Sequence, residues 1–166
     1  MTPLGAVARG LAAGLAGTAV MTAYQMAVQK LQSSDSGESQ DGEQTWQDAP
    51  APAQVGRRVL TGVFREDVGR DKIPVLTHGV HWAYGTTLGV LYGLAQGTLR
   101  ANPITHGLFF GTGVWGLAYA QLVPMGLYEP PWKYPAKELA VDWSYHAVYG
   151  VGVAAAFRAL DGSRDA

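Results

Sequence analysis

From residue 73 to residue 99 the chain carries no Asp, Glu, Lys or Arg. Its centre reads THGVHWAYGTTLGVLYGLAQG, and Gly85, Gly89, Gly93 and Gly97 fall at every fourth position. A stretch of about 20 mostly apolar residues is long enough to cross a bilayer as one helix. Glycines at that spacing share one helix face. A bare glycine face lets a neighbouring backbone approach closely, which in lipid stands in for the missing hydrophobic drive. This stretch restricts the chain more than any other: it points to a helix packed against other helices in a membrane.

Three more apolar segments surround it. Residues 4–28 form the first, with Arg9 near its start and a Gly10/Gly14 pair. A basic residue before an apolar core also suits a signal peptide, but Gln25 sits poorly in the small-residue cleavage pattern. Residues 104–123 form the third segment, with Gly107 and Gly111 as a second GxxxG pair and Trp115 in mid-span. Residues 138–160 form the fourth, with Glu138 and Asp142 near its start and Arg158 near its end. Arg158 can snorkel to headgroups. The Tyr- and Trp-bearing, proline-rich stretch 128–135 suits the level of the headgroups.

Composition agrees once it is read locally. Charged residues are 15% of the 166, against about 25% in typical globular chains. The mean hydropathy of +0.02 is low for a membrane protein, because a polar insert dilutes the apolar segments. Residues 33–52, SSDSGESQDGEQTWQDAPAP, are acidic and poor in aliphatics, so a disordered loop is expected. Residues 54–72 place Val55, Val59 and Val63 on one face among Arg57, Arg58, Arg65 and Arg70. That pattern suits an amphipathic helix on the membrane surface or a solvated helix packed over the end of the bundle. A net charge of −1 gives no case for nucleic acid, and with no cysteine there is no disulfide framework.

The fold expected is an all-α integral membrane protein, one domain over 1–166, with four transmembrane helices at about 4–28, 75–97, 104–123 and 138–160 in a compact bundle. Gly10, Gly14, Gly85, Gly89, Gly93, Gly107 and Gly111 are its expected packing points. GLAAG at 10–14 matches GLFFG at 107–111, and HWAYG at 81–85 matches HAVYG at 146–150. The chain therefore reads as two helical hairpins that could be parallel repeats about an axis along the membrane normal. Both termini should lie on one side, and the charge distribution leaves that side open.

The order of motifs resembles the YagU-like family of small bacterial inner-membrane proteins of uncharacterised function. The resemblance rests on His78 and Trp82, GVLYG at 89–93, Gly107 and Gly111, PMGL at 124–127 with Pro130 and Pro131, and His146. It covers roughly residues 50–160, and the acidic insert has no counterpart. It implies a multi-pass protein of the inner membrane and supplies no reaction, substrate or catalytic residue.

All four histidines fall in apolar segments. His78, His81, Asp142 and His146, with Gln25 and Gln121, should lie toward one end of the bundle as an intramembrane polar cluster. Asp142 and His146 are one turn apart and so share a stripe, and Asp142 is the candidate partner of His146. Ionisable residues at depth usually face the bundle interior or a cavity. The candidate roles are a proton relay, a metal site, a ligand pocket, haem between His81 and His146, or a hydrogen-bond network tying the helices together. No stringent metal motif is present, and Ser144 points away from Asp142 and His146, which excludes a triad. The function expected is non-enzymatic, with no cofactor and no metal: a structural or interaction protein of the cell envelope. Its partners would be the bilayer and a second copy or another membrane protein. The alternative is a small transporter or an ion- or proton-conducting bundle that uses the His/Asp cluster.

Overall fold

The computed structural model describes residues 2–36, 45–96 and 102–162. It holds five α-helices: α1 (Pro3–Ser36), α2 (Ala51–Val63), α3 (Ile73–Gln96), α4 (Pro103–Leu122) and α5 (Ala136–Gly162). Two short 3-10 turns, Arg70–Lys72 and Pro131–Lys133, precede α3 and α5. No strand occurs among the described residues.

Local chemistry sets several boundaries. Asn102 caps α4, its side chain accepting a hydrogen bond from Ile104 N at 3.0 Å, and Pro103 follows at the first helical position. Gly126 adopts φ +66°, which turns the chain after α4 and returns Leu127 N–H to the Leu122 carbonyl at 3.0 Å.

The polar insert departs from the sequence reading. α1 runs on to Ser36, because a helix already nucleated extends at little further cost through good formers such as Gln29, Lys30, Leu31 and Gln32. Residues 45–52 are ordered, not a disordered loop. Trp46 carries the Arg57 guanidinium over its ring at 4.7 Å, and Ala49 and Ala53 are buried with Ile73. The remainder of the insert lies outside the described residues. The amphipathic segment is a helix only over Ala51–Val63. Arg65, at φ +56°, turns the chain away, and 64–69 is not helical. α2 packs on the start of α3, with Gly56 against Leu76 and Val80. Arg58 Nη1 donates to the Met125 carbonyl at 2.6 Å and ties α2 to the α4–α5 connection. Its outer side still exposes Val59, Val63 and Phe64.

The four long helices run alternately up and down. α1 packs against α3 through Gly10, Gly14, Gly85, Gly89 and Gly93. α4 packs against α5 through Gly107, Gly111 and Gly150, and α1 against α5 through Gly17 and Gly152. At each of these crossings backbone meets backbone. The α3 and α4 backbones stay apart. The start of α1 and the end of α5 lie together, joined by Arg9 Nη1 to Asp161 Oδ1 at 3.1 Å. Gly97 lies outside the described residues.

The two hairpins repeat one contact pattern. A Cβ on Gly10 would lie 2.7 Å from the Gly89 oxygen and 2.8 Å from the Val90 Cα; on Gly107 it would lie 2.8 Å from the Gly150 oxygen and 2.7 Å from the Val151 Cα. One turn on, Gly14 faces Gly85 and Thr86, while Gly111 faces His146 and Ala147. This register pairs Gly85 with His146 and Gly89 with Gly150, one helical turn away from the HxxYG match. It aligns WAY at 82–84 with WSY at 143–145, and it places His81 opposite Asp142 instead of His146.

By length and composition, one described helix, α1 over Pro3–Ser33, is apolar enough to cross a membrane. In α3, α4 and α5 the Gly, Thr, Tyr, Trp and His residues dilute the hydropathy.

Candidate functional site

The polar residues at the α2 end of the bundle separate into two groups. Asp142 on α5 turns to α4: its Oδ2 accepts from Trp115 Nε1 at 2.9 Å and from the Tyr119 hydroxyl at 3.2 Å. Trp115 and Tyr119 are one turn apart on α4 and therefore present both donors along one stripe. Tyr119 in turn packs edge-on against Tyr128 at 5.3 Å and Tyr134 at 6.1 Å. The carboxylate thus sits beneath an aromatic cluster closed by the α4–α5 connection. The phenol of Tyr128, in that connection, is pushed up to about 12 by its burial and then by the negative charge of Asp142 and by Tyr134.

His146 does not take the Asp142 carboxylate as its main partner. Its Nδ1 lies 2.9 Å from the Asp142 backbone oxygen and 3.9 Å from Oδ1. A carbonyl can only accept, so Nδ1 carries the proton. His81 on α3 is half-buried, and its Nε2 is buried with no hydrogen-bond partner among the described residues. His146 and His78 are the titratable groups within electrostatic reach of His81. His78 is exposed at the start of α3.

Gln25 is half-buried on α1, and Gln121 is exposed on α4, where its Oε1 accepts from the Tyr84 hydroxyl at 3.0 Å. The structure therefore leaves His81 within electrostatic reach of His146, places Asp142 with Trp115 and Tyr119, and leaves Gln121 on the α3–α4 side. Ser144 donates to the Val141 carbonyl at 2.6 Å and lies 3.3 Å from the Tyr24 hydroxyl.

Other polar contacts join helices without being evident from single-helix spacing. The Tyr149 hydroxyl donates to the Gly85 carbonyl at 2.6 Å and so joins α5 to α3. Trp143 Nε1 donates to Thr112 Oγ1 at 3.1 Å between α5 and α4. The signal for the Asp142 group was the Trp115/Tyr119 stripe, two polar-tipped aromatics one turn apart in an otherwise apolar segment. Among the described residues no three His, Asp or Glu side chains converge in a way that could hold a metal ion.

Chemically, the Asp142 group is a satisfied acceptor, and the buried Nε2 of His81 is left without a hydrogen-bond partner among the described residues. Comparison of the chain with protein-family models, with curated proteins and with solved structures gives no match.

Proposed function

We propose that this chain is a multi-pass membrane protein of four spanning helices, α1, α3, α4 and α5, acting as a non-enzymatic structural or interaction protein of the cell envelope. One observation carries the reading. The outward surfaces of α3 and α4 bear Val75, Leu91, Leu94, Ile104, Leu108, Phe109 and Leu117, and neither helix holds one Asp, Glu, Lys or Arg. A helix facing water has a polar stripe. Here large apolar residues turn outward and the period-four glycines Gly85, Gly89, Gly93, Gly107 and Gly111 turn inward, which suits lipid outside and close backbone packing within. The low hydropathy of these helices then reflects glycine and aromatic content, both common in membrane helices. Trp132, 82% exposed beside Lys133, and the exposed Val63 and Phe64 where α2 ends lie at one end, where an interface belt would sit.

The structural role is supported by the polar groups themselves. Asp142, Tyr149, Tyr84 and Trp143 each spend their hydrogen bonds joining one helix to another. The resemblance to the YagU-like family points the same way, to the bacterial inner membrane, with the bilayer and a second copy or another membrane protein as partners. The matching glycine contacts support a design of two parallel hairpin repeats.

The test is extraction of membranes with alkaline carbonate, together with reporter fusions at residue 2 and residue 166. Retention in the membrane with both reporters in one compartment is expected. Release by carbonate, or opposite compartments, overturns the reading.

A second reading rests on the unpartnered His81 Nε2 near His146. An unsatisfied buried nitrogen is costly, so a proton, a cation or a transported solute could bind there. Its test is pH-dependent flux into liposomes holding the purified chain.

A further inference from the structure

The hairpin pattern makes the open seam between α3 and α4 interpretable. Aligned through Gly10 with Gly107 and Gly89 with Gly150, the tight α1–α5 crossing has its counterpart between α4 and α3. The side contacts agree: Tyr24 meets Tyr145 across α1 and α5 at 5.7 Å, and in the same register Gln121 meets Tyr84 across α4 and α3. At the α1–α5 crossing Gly17 and Gly152 allow contact, with a Cβ on Gly152 only 3.2 Å from the Gly17 Cα. The corresponding residues are Val114 on α4 and Leu91 on α3. Two branched side chains stand where two glycines stand on the other side, and the α3 and α4 backbones do not pack closely as those of α1 and α5 do.

The seam contains a cavity of about 500 Å³, within the roughly 300–1,000 Å³ range of ligand pockets. Its length is apolar, lined by Leu91, Tyr92, Phe109 and Phe110. Leu91 and Phe109 are 55% and 75% exposed, so it opens sideways to the surroundings of the bundle. Its polar groups gather at one end, where α3 finishes and α4 begins: Gln96 and His106. Gln96 Oε1 is buried there with no hydrogen-bond partner among the described residues. An apolar channel open to the side, with an unsatisfied acceptor at helix-end depth, matches an amphiphile with a long chain and a hydrogen-bond donor at its head.

We propose that the α3–α4 seam holds one acyl chain of a membrane phospholipid, with a donor of its head group at Gln96 Oε1. The proposal rests on the membrane reading above. The acyl chain fills the space lined by Leu91, Tyr92, Phe109 and Phe110, and the repeat supplies the comparison: on the α1–α5 side Gly17 and Gly152 bring the backbones together.

The experiment is native mass spectrometry of the full chain, delipidated in mild detergent and titrated with dipalmitoyl phosphatidylethanolamine. The wild type should retain one lipid. A95F, at a cavity-lining position on the exposed side of α3, should weaken retention at least tenfold. L91G/V114G, which reproduces the glycine pair of the other crossing, should do the same. L15F, on the outer face of α1, should change nothing. Gln96→Leu should keep the chain and lose the preference for phosphatidylethanolamine over a lipid with a quaternary head group. Membrane-embedded protein that retains no lipid, or retains it equally in A95F, overturns the proposal alone. Protein that is released from membranes by carbonate overturns the membrane reading and this proposal with it.

Discussion

Gly10 and Gly89 bring the backbones of α1 and α3 into direct contact: a Cβ on Gly10 would lie 2.7 Å from the Gly89 carbonyl oxygen. From the other side, a Cβ on Gly89 would lie 2.6 Å from the Gly10 oxygen and 2.6 Å from Gly14 N. Every atom in the way is backbone, so no side chain can rotate to make room. Gly89→Leu should therefore exceed the ~1–3 kcal/mol of ordinary overpacking. Gly116 faces open space, and Gly116→Leu should be neutral or stabilising by up to about 1 kcal/mol through helix propensity. Thermal unfolding of both variants in detergent checks this; equal midpoints would mean that the α1–α3 contact has been misplaced.

The ends of the bundle give a second prediction. Arg9 is 10% exposed in its side chain and Asp161 52%. Removing the acid strands a nearly buried cation, whereas replacing the cation by a long apolar side chain leaves only a solvated carboxylate. Asp161→Ala should destabilise by roughly 1–2 kcal/mol and Arg9→Met by less. The order of the two melting temperatures is the readout, and the reverse order contradicts the assigned burial.

The glycine spacing is readable in sequence because close approach needs an absent side chain on the facing side, and period four states where that side is. The register between hairpins is not. HxxYG compares the residues present, whereas packing compares the space between backbones, and by that measure His146 stands where Gly85 stands. The partners of Asp142 were hidden for a related reason. Spacing within α5 reveals only same-helix neighbours such as His146, and the donors Trp115 and Tyr119 come from α4. In the insert, composition correctly marks low hydrophobicity but cannot show that Trp46 and Ala49 find an apolar patch beside Ala53 and Ile73.

Tyr128 provides a pH test. Burial first, then the Asp142 charge and Tyr134, hold its phenol protonated up to about 12 in the folded chain, against about 10 for an ordinary tyrosine. A pKa raised by folding contributes stability that is fully present below the unfolded value. That stability is lost as pH rises from about 10 through about 12. The wild type should thus lose stability across that alkaline window, and Tyr128→Phe should lose less of it. Parallel melts at neutral pH and at the upper end of the window decide the matter; identical pH slopes would place Tyr128 in water.

Asp142 and His81 together separate the two functional readings. Its Oδ2 serves Trp115 Nε1 and the Tyr119 hydroxyl together. Asp142→Ala leaves both donors without that acceptor, at about 1–3 kcal/mol for each group that finds no water. Asp142→Asn keeps one oxygen for Trp115 and should recover most of that loss. If the group is structural, Trp115→Phe and Asp142→Ala combined should cost less than the sum of the singles, because both singles remove the same Trp115–Asp142 bond. Proton flux into liposomes should then be the same for the wild type, the Asn variant and empty vesicles. The conducting reading demands a different pair of results: wild-type flux above the empty-vesicle level, with His81→Gln abolishing it while the protein stays folded. Stability and flux answer separately, so a folded, inactive His81→Gln variant of an active parent would displace the structural role proposed here.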